Sequence, residues 1–197
     1  IMKYLIAGLG NMDSDYMNTR HNVGFEVVDV IAKRHKIEWE SGRYAHFCEF
    51  KYKGRQIIMI KPATYMNLSG KAVRYWALEK QIQLENILVV LDDLNLEFGK
   101  LRIKGEGTDG GHNGLKDITA QMGTTRYPRL RIGIGNDFQK GNQINFVLGH
   151  WSEAERLVLG SILDKSADAC MSFCMAGLPN TMNQYNAFKA TPPSNQQ

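Results

Sequence analysis

Apolar positions follow two periods along this chain, and the switching between them outlines its elements. Residues 4–10 form an unbroken run of apolar residues and glycine, the mark of a strand covered on both faces. Asn11, Met12, Asp13, Ser14 and Asp15 then read as a loop. The spacing predicts an amphipathic helix over 23–35, with Val23, Val27, Val28 and Ile31 on its inner side. Two short runs, 44–52 and 55–61, flank Lys53-Gly54 and predict a hairpin. A helix over 69–80 places Ala72, Val73, Trp76 and Ala77 on one face. Residues 87–91 are wholly apolar and suit a central strand, whereas 100–104 alternate basic and apolar as an edge strand would. A short helix over 115–122 and a strand over 130–135 follow. Ser152 and Glu155 have capping-box spacing and open a long helix reaching Ala176, with Gly177 and Pro179 as its stop signals. A last helix is expected over 180–188.

Strand and helix signals alternate without an internal repeat or a linker. The fold class is therefore α/β: a single domain over residues 2–190, built on a mixed β-sheet with helices on both faces. The polar stretch 191–197 is expected to be a disordered tail.

Composition narrows this further. The chain has 197 residues, 43% hydrophobic and 22% charged, enough for one sizeable core. No apolar run approaches the roughly 18 residues that span a bilayer, so no membrane partner is expected. Three cysteines, sparse and odd in number, favour a reducing, cytoplasmic setting. The net charge of +4 is localised. Between residues 100 and 131, Lys100, Arg102, Lys104, Lys116, Arg126, Arg129 and Arg131 stand against Glu106, Asp109 and Asp117, and the rest of the chain balances. A basic excess confined to one segment points to a phosphate-bearing partner.

Several familiar chemistries are excluded. Gly8-Leu9-Gly10 begins like a dinucleotide fingerprint, but its third glycine would fall on Asp13. There is no Walker A loop and no G-x-S-x-G elbow. Cys170 and Cys174 lie four apart on the long helix without a histidine nearby, which suits core packing rather than zinc. No metal and no cofactor are expected. What remains is a set of polar loops that each follow a strand: Asn11; Thr19-Arg20-His21-Asn22; Thr64 to Asn67; Asp92 to Asn95; and Gly110 to Asn113. His21 sits where an open sheet hands over to a helix, the end at which α/β proteins gather ligands. Its imidazole ordinarily titrates near ~6.5 and can exchange protons at neutrality. Such loops can converge, bringing a histidine, a carboxylate and several carboxamides into one cleft.

The segments GLGN, TRHNVGFEVVD, PATYMNLSGKAV, GGHNGLKDI and RLRIGIG, in this order, resemble the bacterial peptidyl-tRNA hydrolase family over about residues 3–189. The resemblance implies a single α/β domain around a twisted mixed sheet. It implies hydrolysis of the ester joining a peptide to the 3′ end of tRNA, by a cytoplasmic monomer with no obligate protein partner. By matching position, His21 would be the catalytic base and Asp92 the carboxylate holding it, with the adjacent Asp93 as rival. Asn11, Asn67 and Asn113 would line the peptide and scissile-ester site, Asn11 and Asn113 serving catalysis and Asn113 binding as well. Tyr16 and Tyr65 would contact the acceptor end, and Lys104 and Arg131 would clamp the tRNA 5′-phosphate. Met12-Asp13 departs from the family's usual Pro-Gly turn, and Asn95 stands where a second acid is often found. The glycine-rich loop 105–110 is expected to move as a lid. Two other readings are a non-catalytic RNA-binding relative and a small-molecule hydrolase on a similar scaffold.

Overall fold

The computed structural model describes residues 1–194, so residues 195–197 of the expected tail lie outside it. Seven strands form one sheet in the order β2-β3-β4-β1-β5-β7-β6: β1 (Met2–Gly8), β2 (Glu40–Gly42), β3 (Ala45–Tyr52), β4 (Arg55–Pro62), β5 (Ile87–Asp93), β6 (Leu101–Lys104) and β7 (Arg129–Gly133). The inner strands β4, β1, β5 and β7 run parallel; β2, β3 and β6 are antiparallel to their neighbours. The sheet is mixed, and its parallel centre turns the loops after β1, β4 and β5 toward the same end.

Strand periodicity divides the core. Tyr4 and Ile6 face one side of the sheet, Leu5 and Ala7 the other. The first side packs on α1 (Val23–Arg34), α5 (Glu153–Ala176) and α6 (Leu178–Tyr185), through residues such as Val27, Ile31, Cys170 and Phe173. The second packs on α2 (Ser69–Glu79) and α3 (Asn113–Met122), through Ala72, Val73, Trp76, Leu115 and Ile118. All three cysteines are buried and unbridged.

One close approach sets the position of α1. A Cβ on Gly8 would lie 2.3 Å from the Gly24 carbonyl oxygen, and one on Gly24 would lie 2.4 Å from that of Val90. Only glycine lets the helix start sit backbone to backbone on β1 and β5. The turn before it, which carries His21, is thereby pressed against the end of the sheet.

Several boundaries differ from expectation. β2 is fully exposed and has no apolar pattern; it exists through its ladder to β3. α4 (Gln143–Val147) is only five residues long and fully buries none of them, too short for a periodic pattern to announce it. Gly177 does end α5, but Pro179 lies in the first turn of α6, where its missing N–H is no loss. α6 therefore begins at Leu178 and ends at Tyr185.

Candidate active site

The loop after β1 becomes a short 3-10 turn, Arg20–Asn22, that runs straight into α1. Both chain neighbours of His21 are pinned. The Asn22 side chain donates to the Asn11 carbonyl at 2.9 Å and accepts from the Asn11 N–H at 2.8 Å. Arg20 pairs with Glu155 at 2.9 Å, donates to the Phe146 carbonyl and lies 4.3 Å over the Phe146 ring. The His21 backbone is held from both sides.

Asp92 ends the apolar strand β5 and is only 3% exposed. Nδ1 of His21 lies 2.8 Å from its Oδ2 and 2.9 Å from its Oδ1. Nε2 of His112 lies 2.9 Å from the same Oδ1. His112 caps α3: its Nδ1 accepts from the Gly114 N–H at 3.1 Å and, more weakly, from that of Leu115. An accepting Nδ1 carries no proton, so the ring proton is on Nε2 and is donated to Asp92. His112 is thus a neutral donor. His21 donates its Nδ1–H to the same carboxylate, which leaves the Nε2 lone pair as its base.

Burial by itself pushes the Asp92 carboxyl up, but the electrostatic pull of His21 and His112 and the hydrogen bonds their ring N–H groups donate outweigh this and hold it well below the usual range. Burial likewise pulls the His21 imidazole down; the Asp92 charge and hydrogen bond outweigh it and leave it raised. Nitrogen and oxygen atoms of His21, Asp92 and His112 all lie within 4.8 Å of one another, a spacing that a metal could bridge. The His112 nitrogen facing Asp92 is a protonated donor, so this trio is a hydrogen-bonded chain rather than a ligand set.

His21, Asp92, His112, Asn113 and Arg131 line one cavity, closed on its apolar side by Leu94 and by Ile144 and Val147 of α4. Of the three expected carboxamides, Asn113 alone borders it. Asn11 lines a neighbouring groove with Tyr65, Leu68 and Lys71, and its Oδ1 accepts the Met66 N–H at 3.1 Å. Tyr65 is 72% exposed there. Asn67 is exposed on the 3-10 turn Met66–Leu68, and Tyr16 is half-buried on the turn Ser14–Tyr16; neither borders these two cavities. Lys104 is exposed on β6, close to Arg131 in a second, cation-rich cavity.

Arg129 and Arg131 share a strand face, yet Arg129 is fully buried and donates to the carbonyls of Gly107, Thr125 and Tyr127. Arg131 donates to that of Thr108. The loop expected to act as a lid is therefore tied down by two arginines in this conformation.

Asp93 accepts the Asn95 N–H and faces Arg131, so Asp92 is the residue that holds His21. His112 and α4 are the parts of the site that sequence reasoning missed. A histidine directly before a predicted helix was the available signal, but imidazole is an uncommon cap.

The family model for peptidyl-tRNA hydrolase matches residues 5–193. A peptidyl-tRNA hydrolase of Phocaeicola vulgatus is 55% identical over 94% of this chain and 99% of its own length. One from Bacteroides fragilis is 51% identical over the same shares. The crystal structure of peptidyl-tRNA hydrolase from Acinetobacter baumannii superposes with a TM-score of 0.89 at 34% identity, covering 94% of this chain and 95% of that one. With likeness of this extent in both sequence and fold, the chain belongs to the peptidyl-tRNA hydrolase family.

Proposed function

We propose that this chain hydrolyses the ester between a peptide and the 3′ end of tRNA, with water activated by His21. The observation that carries the reading is the orientation of His21: its Nδ1–H is spent on buried Asp92, so Nε2 is the basic atom. That nitrogen takes a proton from water as it attacks the ester carbonyl, then returns it to the departing ribose oxygen. The imidazolium formed in between is stabilised by Asp92, which stays ionised. His112 keeps that carboxylate aligned by holding its Oδ1.

Asn113, on the wall of the same cavity, donates to the developing oxyanion; losing such a donor commonly costs about 2.7–4 kcal/mol of barrier. Asn11 has its Oδ1 committed to Met66, which leaves its amide N–H groups for the peptide. A free aminoacyl-tRNA brings an ammonium where an amide is expected, and unmatched buried polar groups give the discrimination its size. Tyr65, Asn67 and Tyr16 contact the acceptor end outside the chemical step, and Lys104 with Arg131 holds the 5′-phosphate. The protein works as a cytoplasmic monomer; its buried, unbridged cysteines fit a reducing compartment. No helix among the described residues is long and apolar enough to cross a membrane.

The test is incubation with N-acetyl-aminoacyl-tRNA and with free aminoacyl-tRNA. Release of the blocked amino acid alone is expected, lost in His21→Ala while tRNA affinity persists. Cleavage of neither substrate by the unaltered protein refutes the reading.

A further inference from the structure

Beside the His21 cavity lies a second one, lined by Arg102, Lys104, Arg131 and the carbonyl-bearing loop at Gly107 and Thr108. Its one acidic wall is Asp93, which together with Arg131 also borders the His21 cavity. The strand pair β6–β7 sets Arg102 directly opposite Arg131. Like charges at such a position destabilise a sheet, so something must offset them in the unliganded protein. Asp93 is the group in place to do so. Its Oδ2 lies 3.7 Å from Nη1 of Arg131, and both side chains are only 11% exposed. That separation is too long for a hydrogen bond. Asp93 thus lends its charge without occupying the N–H donors of Nη1. Nη2 is spent on the Thr108 carbonyl, and Asp93 Oδ1 on the Asn95 N–H at 2.8 Å, so neither partner is loose.

We propose that Asp93 is an internal counter-anion that competes with the tRNA 5′-phosphate for Arg131. The proposal rests on the function given above. Substrate and spent tRNA carry the same 5′-phosphate, so contacts to it bind both equally and do nothing for the chemical step. An opposing carboxylate weakens the hold on both and quickens release of product. Asp93 acts through Arg131; it is a positioning residue for affinity and touches no reacting atom.

The experiment compares inhibition by deacylated tRNA bearing a 5′-phosphate with inhibition by the same tRNA bearing a 5′-hydroxyl. Asp93→Asn keeps an oxygen for the Asn95 N–H but removes the charge. It is expected to tighten inhibition by the phosphorylated tRNA about fivefold and to lower KM and kcat together. Inhibition by the hydroxyl form should not change. The gain should vanish when Arg131→Gln is added. Asp93→Ser, which also removes the charge and keeps an oxygen, guards against a folding defect in the first variant. Unchanged or weaker inhibition by the phosphorylated tRNA, or equal tightening toward both, overturns the proposal. An unaltered enzyme that cleaves its substrate but binds both tRNAs alike also overturns it. An unaltered protein that cleaves nothing refutes the hydrolase reading itself.

Discussion

The pH behaviour of His21 follows from two opposed effects of unequal size. Desolvation lowers its pKa, and Asp92 raises it by more. The base form therefore accumulates only above the ordinary value, and kcat/KM should climb with pH through an inflection above 6.5. Asp92→Asn removes the charge and leaves the burial, so the inflection should drop below that value while kcat falls by about 10²–10⁴. A profile between pH 5 and 9 decides it; an unmoved inflection would show that Asp92 does not set the titration. His112 offers a second test, because its ring does two jobs at opposite nitrogens. His112→Ala should lose about 1–2 kcal/mol of stability with the helix cap, and about tenfold in kcat with the Asp92 contact. His112→Asn can cap α3 but is too short to reach Asp92, so it should restore the unfolding midpoint and not the rate. Equal recovery of both would sink the division of roles. Position in the family pattern favours Asp92 over Asp93 only weakly; tertiary contacts sort one toward the imidazoles and the other toward Arg131.

Helix α1 carries a cost near the site. Glu26, in its first turn, has a buried Oε2 without a partner. Burial first, and then the charge of Asp29, lifts its carboxyl to about 7. A carboxyl raised in the folded state contributes stability below its unfolded pKa and loses it as pH rises, here between 4.5 and about 7. Glu26→Gln should thus match the parent near pH 4.5 and exceed it by up to about 3 kcal/mol at pH 8. A stability gap that stays constant across that range would refute the titration. Elements were legible wherever burial left a period in the chain. β5 is apolar from Ile87 to Leu91 because both faces are covered, and the Ser152–Glu155 capping box does start α5. β2 and α4 were not legible because neither fully buries a side chain: one depends on a partner strand, the other is a five-residue helix whose Ile144 and Val147 line the site. α3 begins at Asn113 rather than at its first apolar residue, since His112 supplies the cap.

Across the whole molecule, the localised charge proves less uniform than the sequence suggests. Arg129 is spent inside on backbone carbonyls, Lys100 pairs with Glu97, and Arg126 lies 3.7 Å from Glu106. Of the four that remain, Lys116 is exposed on α3, and Arg102, Lys104 and Arg131 gather round one cavity beside the site. Three cations meeting phosphates should give KM a log–log dependence on salt with a magnitude of about 2–3. The chemical step should not share it. His21 and Asp92 are shielded from the ionic atmosphere at a separation of 2.8 Å, far inside a Debye length of about 8–10 Å. Initial rates on N-acetyl-aminoacyl-tRNA from 50 to 300 mM KCl (roughly the range over which such screening is felt) should show KM climbing with no fall in kcat. Lys104→Gln should reduce the slope by about 1. If instead kcat fell with salt at constant KM, the basic cluster would be acting on the reaction rather than on the encounter. The separation of a screened docking surface from a buried base pair would then be wrong.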